Sequence, residues 1–111
     1  MALSDGLKYE YKQAVLKAVR YHFPEARITL FGSRARGDFA AGADIDIVID
    51  LGKPIDPGEL VRLKATLENL TIPLMVDVVD WHYASPELKE IIKREGIVWK
   101  DRVHAKHLYA S

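Results

Sequence analysis

The chain has 111 residues, 49% hydrophobic and 29% charged, with a formal net charge of zero: enough apolar material for one compact domain over 1–111, and no basic excess of the kind a dedicated nucleic-acid binder shows. Cysteine is absent, which rules out disulfides and thiolate metal sites. The opening MALSDGLKYE carries no signal-peptide apolar run and no stretch nears the ~20 apolar residues of a membrane span, so a cytoplasmic location is expected.

Residues 4–22 read as a helix. Leu7, Tyr11, Ala14, Val15, Ala18, Val19 and His22 recur at helical spacing, Ser4 or Asp5 is the N-cap candidate, and Pro24 ends the run. RITLF at 27–31 reads as a short strand. Gly32-Ser33 breaks the chain, and a short helix follows from Arg34 to Phe39. DIDIVID at 44–50 alternates as a strand does. Two prolines and two glycines make 52–58 a loop, and Leu60, Leu63, Leu67 and Leu70 mark an amphipathic helix over 58–70. LMVDVVD at 74–80 is a third strand. Ser85-Pro86 opens a last helix with Leu88, Ile91 and Ile92 inward, Gly96 caps it, and IVW at 97–99 adds a short strand. Residues 1–8 and 101–111 are expected to be loose ends. The alternating order predicts an α/β fold with helices packed on a sheet.

Three features carry chemistry. In FGSRARG, 31–37, Gly32 permits a tight turn and Ser33 is placed to cap the next helix. Backbone N–H groups at such a start, with a serine hydroxyl and Arg34 and Arg36 beside them, make a phosphate site; a capped turn with surface arginines accounts for the same residues. In Asp44-Ile45-Asp46 the two carboxylates share one strand face while Ala43, Ile45, Ile47 and Ile49 take the other. Neighbouring carboxylates raise each other's pKa unless a cation lies between them, and hard cations such as Mg²⁺ take such oxygen ligands. A polar face on an edge strand is the plainer account. Asp77 sits inside an apolar run, where an unpaired carboxylate is costly; alternation groups it with Met75 and Val79, and sets Asp80 on the other face with Val76 and Val78. Asp80 reads as a strand-end or helix-start residue. His104 and His107 share a helical face in the tail and make a weaker metal pair. His22 and His82 read as helix-end and loop residues, and Trp81 and Trp99 as core or interface.

Gly32-Ser33, ten residues, then Asp44-x-Asp46 resembles the GS-x10-DxD signature of the DNA polymerase β-like nucleotidyltransferases. FGSRARGDFAAGADIDIVID, with VDVVDWHYASPELKEIIKREG further on, resembles the minimal nucleotidyltransferase (MNT) family, which includes antitoxin partners of HEPN toxins. The resemblance spans about residues 10–100. It implies a small mixed sheet with helices on one side, in place of a doubly wound parallel sheet. It implies Gly32, Ser33 and Arg36 at the triphosphate, with Arg34 at a variable motif position. It implies Asp44, Asp46 and Asp77 as the catalytic, metal-binding carboxylates, holding Mg²⁺ or Mn²⁺ with ATP as donor. Ala43 stands where many relatives carry serine. The implied reaction moves AMP to a hydroxyl, on a tyrosine of a separate all-helical HEPN-type toxin. A contact-only antitoxin and a transferase for small-molecule hydroxyls are the alternatives. No membrane or direct nucleic-acid partner is expected, and homo-oligomerisation stays open.

Overall fold

The computed structural model describes residues 5–102; the expectations for residues 1–4, for the end of the tail and for His104 and His107 lie outside them. Helix α1 (Tyr9–His22) leads into β1 (Arg27–Phe31), the short α2 (Ser33–Arg36) and β2 (Ile45–Asp50). Helix α3 (Pro57–Glu68), β3 (Val76–Asp80), a 3-10 turn at Trp81–Tyr83, α4 (Pro86–Glu95) and β4 (Ile97–Lys100) follow. The sheet has four strands in the order β3-β2-β1-β4. β2 and β3 run parallel, whereas β1 is antiparallel to both β2 and β4. The sheet is mixed, as the resemblance implies.

Alternation divides the sheet residues between two faces. Ile28, Leu30, Ile45, Ile47, Ile49 and Val78 are buried with Val15, Leu16, Ala18 and Val19 of α1 and Leu63 and Leu67 of α3. Burying an aliphatic side chain of this size stabilises by roughly 1.5–3 kcal/mol each, so this layer dominates the fold. His22 of α1 and Thr66 of α3 share a hydrogen bond of 2.8 Å. The one-sided arrangement holds for α1 and α3. Helix α4 is placed differently: Ile92 and Leu88 join Phe31, Val48, Val79 and Trp81 in a second, smaller cluster on the opposite face. Helix α4 is also the most amphipathic in its sequence, and it covers only part of that face.

Element ends differ from the expectations in instructive ways. α1 starts at Tyr9 with Lys8 as its N-cap and no side-chain cap bond. Asp5 instead closes a local turn onto Leu7 N–H (2.9 Å), and Leu7 packs against the main core. Residues 5–8 are therefore anchored, not loose. α3 begins one residue earlier than read, at Pro57, because Asp56 accepts from Glu59 N–H (3.2 Å) and proline suits the first helical position. At the other end, Asp101 pairs with Arg27 at 2.8 Å.

Candidate active site

The open half of the second face lies where β1 ends and β2 begins. Gly32 turns the chain there with φ +78° and caps α2. Ser33 was expected at the cap but is the first helical residue. The first bond within α2 runs from Arg36 N–H to the Gly32 carbonyl (3.1 Å), so the amides ahead of it face the turn. A Cβ on Gly32 would sit 2.6 Å from Asp46 Oδ2. Only glycine allows the turn to press this closely on the carboxylate, in a backbone region that other residues rarely adopt.

Strand register brings the acids together. Asp46 is opposite Phe31 on β1 and opposite Asp77 on β3. Directly paired residues share a face, so Asp46 and Asp77 stand side by side, and Asp44 precedes Asp46 by one strand repeat. Asp44 and Asp77 are exposed, and Asp46 is half-buried. The Asp46 carboxyl is pushed above the usual carboxylate range, first by its burial and then by the charges of Asp77 and Asp44; Arg36 pulls it back. Three other candidate residues therefore act electrostatically on Asp46. The exposure of Asp77 corrects the reason for singling it out: β3 is a sheet edge, and its apolar neighbours do not bury it.

The two arginines separate. Arg36 is exposed and bridges Asp38 (3.2 Å) and Glu95 of α4 (3.5 Å), with its pKa raised chiefly by the hydrogen bond and charge of Asp38. Arg34, expected at the nucleotide, is only 4% exposed. It donates to the carbonyls of Ala43 (3.0 Å) and Asp5 (2.8 Å) and stacks on Phe39. Two of its donors go to backbone carbonyls, and in this buried position it braces the loop leading into β2. Asp80 likewise has a structural task, accepting from Ile55 N–H (2.9 Å) and His82 N–H (3.1 Å). Glu95 and Asp38 were missed in the sequence. Asp38 lies within reach of Arg36 by spacing alone, but nothing local announces that Glu95, 59 positions on, arrives beside it.

A hard divalent ion suits this donor set, since all three acids offer oxygen and Asp46 is held in a state that a cation would relieve. Among the described residues no three acidic or histidine side chains already enclose one point; the exposed Asp44 and Asp77 would turn toward Asp46 to do so.

A glycine-serine turn against paired strand acids on a small mixed sheet defines the nucleotidyltransferase class. Residues 17–104 match the family described as Polymerase beta, Nucleotidyltransferase, and the chain belongs to that family. A relative from Haemophilus influenzae, "Probable protein adenylyltransferase MntA", is 29% identical over 90 residues, covering 80% of this chain and 79% of its own. A toxin-antitoxin crystal structure with AMP-PNP superposes with a TM-score of 0.70 at 26% identity, over 89% of this chain and 80% of the other. The complex of tri-AMPylated Shewanella oneidensis HEPN toxin with an MNT antitoxin gives a TM-score of 0.68 at 24% identity, over 94% and 81%, and shares the fold.

Proposed function

We propose that this chain transfers AMP from ATP to a tyrosine hydroxyl on a separate helical protein of the HEPN type. The observation that carries the reading is Asp46 pressed against the Gly32 turn and in register with Asp77, with Asp44 one strand repeat away. A relative named as a probable protein adenylyltransferase and a neighbour that holds an AMPylated HEPN toxin support AMP transfer to a protein.

In this reading Ser33 and the first amides of α2 hold the β- and γ-phosphates. Arg36 leaves its exposed carboxylate partners, which are weak competitors in water, and turns to the phosphates. Mg²⁺ or Mn²⁺ held by Asp44, Asp46 and Asp77 would neutralise phosphate charge and lower the pKa of the acceptor hydroxyl. The acceptor oxygen bonds to the α-phosphorus, the bond to the bridging oxygen of the leaving pyrophosphate breaks, and the hydroxyl proton passes to solvent water beside Asp77. The exposure of Asp44 and Asp77 supports a separate acceptor protein, because an open face admits water, which competes with the acceptor and screens the charges. No helix among the described residues is long and apolar enough to cross a membrane.

The test is mass spectrometry of the co-encoded helical protein after incubation with this chain, ATP and Mg²⁺. One or more AMP groups on a tyrosine are expected, and none with the Asp44→Asn, Asp46→Asn double variant. An unmodified partner alongside a modified small-molecule hydroxyl would replace this reading with a small-molecule transferase.

A further inference from the structure

Arg36 faces solvent at the mouth of the site, and its guanidinium is already engaged. Nε donates to Asp38 Oδ2 at 3.2 Å and Nη1 to Glu95 Oε1 at 3.5 Å. The two partners are not equivalent. Asp38 is the nearer, and it has the larger effect on the Arg36 pKa. It lies only two residues on, its N–H bonded back to the Ser33 carbonyl (3.2 Å), and its side chain is 64% exposed. That pair is local to α2 and its turn. Glu95 comes from α4, 59 positions away in the chain, and its side chain is only 25% exposed.

Glu95 stands on firm support. It is the last residue of α4. Three positions earlier Ile92 is buried with Phe31 and Val48, and Gly96 N–H closes the helix onto the Ile92 carbonyl at 2.8 Å. Gly96 then passes so close to β1 that a Cβ there would lie 2.7 Å from Thr29 Cγ2. The backbone is pinned on both sides of Glu95, so its carboxylate meets α2 at a fixed place. A charge partly withdrawn from water is also screened less than one in the open. To the guanidinium a carboxylate is equivalent to a phosphate: both present anionic oxygens to the same planar fork of donors.

We propose that Glu95 is a competitor for Arg36 built into the site: it occupies the guanidinium in the free chain, yields it to the β- and γ-phosphates of ATP, and reclaims it as pyrophosphate leaves. The proposal rests on the reading of Arg36 as a phosphate ligand. Only hydrogen bonds and ion pairs are exchanged. Every ligand that reaches Arg36 must part it from Glu95, so ATP and pyrophosphate are weakened alike. An ion pair as exposed as this one is weak, which suits the role. ATP has several phosphate oxygens and the α2 amides with which to displace it, while pyrophosphate departs more readily than from an unopposed arginine. Glu95 acts through Arg36, so its influence should vanish with that side chain.

Calorimetry of ATP and of pyrophosphate, each with Mg²⁺, on the intact chain tests this. Glu95→Gln is expected to bind both about two- to fivefold more tightly than wild type, the span open to a half-exposed ion pair. Glu95→Asp keeps the charge but falls a methylene short of Arg36. It is expected to tighten both ligands in the same direction, and it carries the test should the Gln variant fail to fold. In an Arg36→Ala background, Glu95→Gln is expected to change neither affinity. Unchanged or weaker binding in Glu95→Gln, beside a clear loss in Arg36→Ala, overturns the competition and leaves Arg36 at the phosphates. Tightening that persists without Arg36, or wild-type binding in Glu95→Asp, makes Glu95 a plain repelling charge and also overturns it. Wild-type ATP affinity in Arg36→Ala defeats the phosphate reading of Arg36 and this proposal with it.

Discussion

Asp46 is the residue on which most of the site's electrostatics converge. Its folded pKa lies above its unfolded one, so the folded state holds that proton more tightly. The contribution to stability is complete below the unfolded value, near 3.8, and is lost as pH rises through the raised folded value. Metal-free Asp46→Asn protein should therefore melt above wild type at neutral pH, with the gap closing as acid protonates the carboxyl. Wild type melting higher at pH 7 would count against crowding of the three acids. Gly32 gives a second prediction at this scale. Gly32→Ala forces a Cβ onto Asp46 Oδ2 at φ +78° and should cost about 1–3 kcal/mol, the range for a strained backbone position, with ATP binding lost as well. Retained ATP affinity in Gly32→Ala would mean that the turn is not a phosphate site. The grouping of these side chains was largely legible: the spacing of Gly32, Asp44 and Asp46 points to one cluster before any fold is known. What misled was burial. Asp77 looked costly among valines, yet an edge strand leaves alternate residues in water whatever their neighbours.

At the scale of elements, the site depends on the brace between α2 and the loop into β2. Arg34 ties α2 to Ala43, one residue ahead of the first acid, and to Asp5 before α1. Arg36, two residues on, points to solvent. The two arginines are identical in the sequence and differ only because a short helix turns them in different directions. Arg34→Met should destabilise by about 2–4 kcal/mol, since two hydrogen bonds from a charged group are lost and their part-buried acceptors are left without that donor. Arg36→Ala should leave the melting temperature nearly unchanged and weaken ATP binding about tenfold, at roughly 1.5–3 kcal/mol for a charged hydrogen bond. Thermal melts with and without Mg²⁺ and ATP distinguish the two; equal ATP affinity in Arg36→Ala and wild type would make Arg36 a surface residue. Strand positions were read to within about two residues because period-two alternation is strong in DIDIVID and VDVVD. Helix starts were read less well. Asp5 competes for a cap role but bonds a local turn, and Pro57 extends α3 into what reads as a loop.

The whole molecule is a sheet with two unequal faces. The Ile, Val and Leu alternation covers one face with α1 and α3 and leaves the other half-covered by α4, and the acids stand in the uncovered half. Strand order was not legible from alternation, because βαβα order alone equally suits a parallel sheet. The signature around Gly32 and Asp44 decided for the mixed one. That α4 crosses to the carboxylate face, bringing Glu95 to Arg36, follows from packing between residues far apart in sequence and left no local trace. If this open face performs nucleotidyl transfer, the phosphorus that reaches the acceptor is the α-phosphorus of ATP. Parallel reactions with Mg²⁺ and the co-encoded helical protein would use ATP labelled at the α- or the γ-phosphate. Protein-bound label is expected from α-labelled ATP alone, with the γ-label recovered in pyrophosphate, and neither product from the Asp44→Asn, Asp46→Asn protein. Protein-bound label from γ-labelled ATP, or transfer undiminished in the double variant, would contradict it.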